Sequence, residues 1–148
     1  MSQAKTLGEL KASNYRALPV REEMRLNLIR KLRSKENIFP NIFGYQDTVI
    51  PQIANAILSG QDIILLGERG QAKSRIIRSL TGLLDETIPV LADAAIPENP
   101  LAPISAEGKK IIAQNGDAAV ISWITREMRY GEKLATPDIT IADLIGEV

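Results

Sequence analysis

The chain contains no cysteine and no histidine. Without cysteine it can form no disulfide framework, no thiolate nucleophile and no thiolate zinc site; without histidine it lacks the commonest general base and metal ligand. Most hydrolase and metalloenzyme chemistries are excluded. Aromatic residues are scarce at 4%, and 18 basic side chains cancel 18 acidic ones, so no overall field draws the protein to nucleic acid or to an anionic membrane. The N-terminus is polar and no apolar run approaches membrane-spanning length, which leads to the expectation of a cytoplasmic protein with no membrane partner. What is present, 148 residues of which 45% are hydrophobic, suits one domain with a sizeable core.

The most informative stretch is Asp62 to Leu84, DIILLGERGQAKSRIIRSLTGLL. Ile63 to Leu66 is a continuous apolar run of strand length, the pattern of a strand buried on both faces of a parallel sheet. After Ser74 the period changes: Ile76, Ile77, Leu80, Leu83 and Leu84 recur as on a helix with one buried face. Between the two lies Gly67, Glu68, Arg69, Gly70, Gln71, Ala72, Lys73, Ser74, which matches the phosphate-binding pattern G-x-x-x-x-G-K-[ST] at every defined position except the sixth, Ala72. Such a loop curls backbone N–H groups around a phosphate chain. Lys73 is the residue expected to reach the β- and γ-phosphates, as the candidate catalytic group. Ser74 is expected to place its hydroxyl on Mg2+. At Ala72 a right-handed conformation is expected, with some crowding near the β-phosphate. Arg75 closes the candidate nucleotide-binding set; with Arg78 it lies on the exposed helix face, where arginines are usually solvated.

Along the rest of the chain, residues 1 to 19 read as a loosely docked arm with a short helix around Leu7 to Leu10. A helix is predicted from Val20, with Met24, Leu28, Ile29 and Leu32 on one face and acids and bases placed to suit its dipole. Its basic end, Arg30 to Lys35, is the ordinary pattern of a helix C-terminus, and nucleic acid is not expected as a partner. Phe39, Ile42 and Phe43 cluster before Gly44, and Gln46 to Leu58 is predicted helical, tolerating Pro51 in its first turns. Beyond the loop, a short strand at Thr87 to Leu91 has an edge-type Pro89, and residues 92 to 105 form a loop with prolines at 97, 100 and 103. A helix over Ser105 to Asn115 stops at Gly116. Ala118 to Ile124 and Arg129 to Leu134 are predicted to form a β-hairpin, about 117–135, with Trp123 and Tyr130 facing across it. Thr140 is a plausible N-cap for a last helix carrying Ile141, Leu144 and Ile145.

The order of these parts resembles the AAA+ ATPases. The Asn41-Ile42-Phe43-Gly44-Tyr45-Gln46 element, a helix, an apolar strand and then GERGQAKS, with alanine before the lysine, is similar to the MoxR-type branch and to the magnesium-chelatase ATPase subunit. The resemblance implies an α/β P-loop NTPase (AAA+) sandwich, incomplete on its C-terminal side, with an N-terminal helical arm (1–36), the front of the ATPase domain (37–148) and the hairpin as an insertion. It further implies ATP and Mg2+ as cofactors, Ile42, Phe43 and Gly44 at the adenine, self-association into a ring, and partners that often carry a von Willebrand factor A-type domain.

After the loop no apolar strand ends in Asp-Glu, and no arginine finger or polar sensor residue is apparent. The chain is therefore expected to be the front part of a longer ATPase that remodels a partner, binding nucleotide without completing hydrolysis by itself. The alternative is a non-catalytic interaction module with a degenerate P-loop. A GTPase is disfavoured by the lack of an N-K-x-D motif. With at most one obvious neighbour for the Ile63 to Leu66 strand, its edge is expected to be open to self-association.

Overall fold

The computed structural model describes residues 3–68, 70–133 and 137–145, with side chains in the last helix described only to Asp143. Its elements are helices α1 (Leu7–Ala12), α2 (Val20–Arg33), α3 (Val49–Leu58), α4 (Lys73–Ser79), α5 (Ala106–Asn115) and α6 (Ile141–Ile145), and strands β1 (Thr87–Leu91) and β2 (Ile121–Thr125). Short 3-10 turns follow α4 at Leu80–Leu83, α5 at Gly116–Ala118 and β2 at Glu127–Arg129. Among the described residues no helix is long and apolar enough to cross a membrane.

The main core is helical. Leu28 of α2, Phe39 and Ile42 of the connecting segment, Ile53 and Ile57 of α3, Ile76 of α4 and Leu83 bury one another, with Met24, Val49, Ile50, Ala54 and Leu80 packed around them. This is the face that the helical spacing of α3 predicts, and Pro51 sits in its first turn, where the missing N–H breaks no bond. The far end of α3 is held by α2: Arg25 Nε donates to Leu58 O at 3.1 Å and Arg21 Nη1 to Gly60 O at 3.2 Å, satisfying carbonyls that a helix end leaves without partners.

Ile63 to Leu66 lies against this core but is not a strand in a sheet. Ile63 and Leu65 pack on the cluster, while Ile64 is 83% and Leu66 90% exposed. The expectation of burial on both faces is corrected here. An extended segment becomes a sheet strand only when neighbours take up its N–H and C=O groups, and none of the described residues pairs with it.

The sheet lies elsewhere. β1 and β2 pair antiparallel, Thr87 opposite Thr125 through to Leu91 opposite Ile121, with Pro89 facing Trp123. The predicted hairpin within 117–135 is thus corrected: β2 finds its partner upstream in β1, and of the predicted return strand the described part, Arg129 to Lys133, carries no strand, while Leu134 lies outside the described residues. Three buried positions in β1 give a long-range partner more apolar surface than a local return strand carrying Arg129, Glu132 and Lys133.

The N-terminal segment expected to dock loosely is built into this second body. Ile121 N–H donates to Lys5 O at 3.0 Å, Leu7 N–H to Ala119 O at 2.9 Å, and Trp123 Nε1 to Ala4 O at 2.8 Å. Leu7 and Leu10 are buried, and Tyr15 meets Trp123 edge-on with ring centroids 6.3 Å apart. Each leucine contributes on the order of 2 kcal/mol by leaving water, which is more than a floating arm would retain.

The proline loop is likewise folded in. Pro100 is fully buried, and the buried Glu98 carboxylate accepts from Ile104 N–H (2.8 Å), Ser105 N–H (3.0 Å) and Ser105 Oγ (2.6 Å). Those bonds, led by the Ser105 hydroxyl, hold the carboxyl below its ordinary pKa. Ser105 in turn caps α5 by accepting from Gly108 N–H at 2.8 Å.

Candidate functional site

The loop leaves the exposed Leu66, runs through Gly67 to Ala72 and enters α4 at Lys73. Arg69 lies outside the described residues. Lys73 Nζ donates to Gly67 O at 2.7 Å and also to Glu68 O, so the ammonium is gathered into the loop's own curve. Gln71 Oε1 accepts from Glu68 N–H at 3.1 Å. A Cβ at Gly67 would lie 2.2 Å from that oxygen, a side-chain tip that can turn away; what favours glycine there is its φ of +155°, and Gly70 takes φ +83°.

Ala72 corrects one expectation. It is left-handed, φ +55° and ψ +13°, rather than right-handed. Glycine at the sixth position of the phosphate-loop pattern suits a left-handed residue, and alanine there bears about 1–2 kcal/mol of steric cost.

An open cavity of about 600 Å3 is lined by Gly70, Gln71, Ala72, Lys73, Ser74, Arg75 and Arg78. Among the described residues three cations and no carboxylate face it, and the Ser74 side chain stands exposed at its wall. This lining suits an anion rather than a free metal ion; among the described residues no group of three acidic side chains could hold a cation. Arg78 is turned partly aside. Its Nε and Nη2 each lie 2.8 Å from Glu132, which also accepts from Tyr130 Oη at 3.0 Å. The Arg78 bond, followed by that of Tyr130, draws the Glu132 carboxyl below its usual pKa, while burial above all raises that of Tyr130.

The expected adenine element divides. Ile42 belongs to the core, Phe43 is 76% exposed, and Gly44 turns the chain at φ +82°. The residue of this element that does meet the loop is Tyr45, whose Oη donates to Gln71 O at 3.3 Å. Its place within Asn41–Gln46 is visible in the sequence; its contact is not.

A second polar cluster lies between the two bodies. The Glu23 carboxylate, 3% exposed, receives Arg129 Nη1 at 2.7 Å, Arg129 Nη2 at 2.6 Å and Asp85 N–H at 2.7 Å. Asn27 Nδ2 donates to Leu83 O at 3.0 Å and to Asp85 Oδ1 at 2.8 Å. Burial alone would raise the Glu23 pKa; the Arg129 and Asp85 bonds outweigh it and leave it lowered. Burial, then the Asp85 and Glu23 charges, raise that of Tyr15.

Compared with protein-family models, with curated proteins and with solved structures, the chain matches none.

Proposed function

We propose that this chain is the ATP-binding front portion of an AAA+ ATPase of the magnesium-chelatase or MoxR-like kind, which in its complete form couples ATP hydrolysis to remodelling of a partner. The observation that carries this reading is the Lys73 ammonium drawn into the curve of Gly67 to Ser74 beside a cavity lined by cations. A polyphosphate fits that lining: Lys73 and Arg75 would meet its charge and the Ser74 hydroxyl would contribute to its Mg2+. Bound Mg2+ would neutralise charge developing on the terminal phosphate, and this chain's residues would position that phosphate. Phe43 is free to cover a base, next to the loop that Tyr45 touches. Ring assembly, a von Willebrand factor A-type partner and a cytoplasmic setting belong to the same proposal. The Ile63–Leu66 segment, beside which none of the described residues forms a strand, favours it too, because the ATPase sheet would supply strands on both its edges.

A second reading has its own support. Ala72 is held in a conformation that glycine would take more cheaply, as in a loop no longer shaped for phosphate. The protein would then be a non-catalytic interaction module.

Thermal unfolding with and without Mg2+ and ATP, beside Lys73→Ala, separates the two. Nucleotide at about 100 times its dissociation constant should stabilise the wild type by ~2.7 kcal/mol and leave the variant unmoved. A well-folded wild type that does not respond would sink the ATPase reading.

A further inference from the structure

The phosphate-loop reading uses the backbone of Gln71 and gives its side chain no part to play. Its side-chain oxygen accepts the Glu68 N–H at 3.1 Å, a loop donor for which a bound phosphate would compete. A Cβ built on Gly67 would lie 2.2 Å from this oxygen and 3.9 Å from Lys73 Nζ, so the amide group, the bare face of Gly67 and the ammonium converge on one spot. The backbone of the same residue is tethered by Tyr45 Oη at 3.3 Å. Lys73 meanwhile is satisfied by two carbonyl oxygens of the loop, Gly67 O and Glu68 O. Neutral oxygens thus occupy the Glu68 N–H and the Lys73 ammonium.

We infer that Gln71 is an affinity-determining residue of the loop, its amide oxygen serving as an internal acceptor that a phosphate oxygen must displace from the Glu68 N–H. The inference rests on the nucleotide reading and adds to it which side chain sets the strength of binding. Displacement is favourable because a charged acceptor makes the stronger hydrogen bond, while the amide, on the exposed side of the loop, can turn to water. The wild type therefore binds polyphosphate more weakly than the same loop without the glutamine. A carboxylate at this position would keep the Glu68 N–H and repel the ligand.

The test is calorimetric titration of the whole chain with inorganic tripolyphosphate and with Mg2+-ATP, for wild type, Gln71→Ala, Gln71→Glu and Lys73→Ala. Gln71→Ala is expected to bind both ligands about fivefold more tightly, equivalent to ~1 kcal/mol, and Gln71→Glu at least tenfold more weakly. Amide NMR of the ligand-free protein gives a readout independent of binding: the Glu68 N–H resonance should shift in Gln71→Ala as its hydrogen bond is lost. Binding by Gln71→Ala where the wild type shows none would also support the inference. If the wild type binds through Lys73 and Gln71→Ala binds no better, or if the Glu68 resonance does not move, the gating role is overturned and the nucleotide site stands. If neither wild type nor Gln71→Ala binds, both readings fall.

Discussion

The guanidinium of Arg129 lies fork to fork on the carboxylate of Glu23, Nη1 to Oε1 at 2.7 Å and Nη2 to Oε2 at 2.6 Å, across 106 residues of sequence. Glu23 also receives the N–H of Asp85, which follows the helical stretch after the loop. One carboxylate therefore ties α2, the end of the loop's helical stretch and the segment after β2 together. With both partners almost wholly buried, the pair is costly to break and much less costly to replace.

Arg129→Ala should destabilise the protein by about 3 kcal/mol, a fall in Tm on the order of 10 °C, because it leaves the Glu23 charge buried without its counter-ion. Glu23→Leu combined with Arg129→Met should lose much less than the sum of the single changes. Urea unfolding of the four proteins measures the coupling, and additive losses would contradict the finding.

The same pair sets a pH dependence. The folded Glu23 pKa is lowered, so its contribution is fully present above the unfolded value of about 4.3 and is lost as pH falls through the folded value. The stability gap between wild type and Glu23→Gln should be widest near neutrality and close in acid. Urea midpoints taken from about pH 7 to pH 3 would show this; a gap independent of pH would not be compatible with an ionised Glu23.

Ala72→Gly should raise stability by about 0.5–1 kcal/mol, since removing the methyl relieves a left-handed residue by more than glycine's freedom costs in the unfolded chain. The comparison is Ala113→Gly in the interior of α5, where the same change should destabilise by a similar amount. Melting curves of the two variants should move in opposite directions.

Ile64 and Leu66 present apolar side chains to water, and none of the described residues forms a strand beside them, which leaves a template for a second strand. In light scattering over a concentration series the wild type should gain mass. The double variant Ile64→Lys, Leu66→Lys should stay near the monomer's 16.2 kDa with an unchanged melt, because neither side chain contributes to the core. A wild type that remains monomeric at every concentration would count against the open edge.

Local pattern by itself determined the helices α2, α3 and α5, the strand β1 and the Thr140 cap of α6, whose Oγ1 accepts from Asp143 N–H at 3.3 Å. Periodicity, caps and glycine stops are properties of neighbouring residues, and the loop from Gly67 to Ser74 is legible for the same reason. Tertiary structure decided which strand β2 pairs with, that Leu7 and Leu10 are core residues, that Glu23 meets Arg129, and that Gln71 and Tyr45 meet at the loop. Each of these is a contact between residues far apart in the chain or a choice among competing neighbours, settled by which surfaces bury together. The handedness of Ala72 belongs with them, because alanine prefers the right-handed region and only the closed loop around Lys73 holds it in the other.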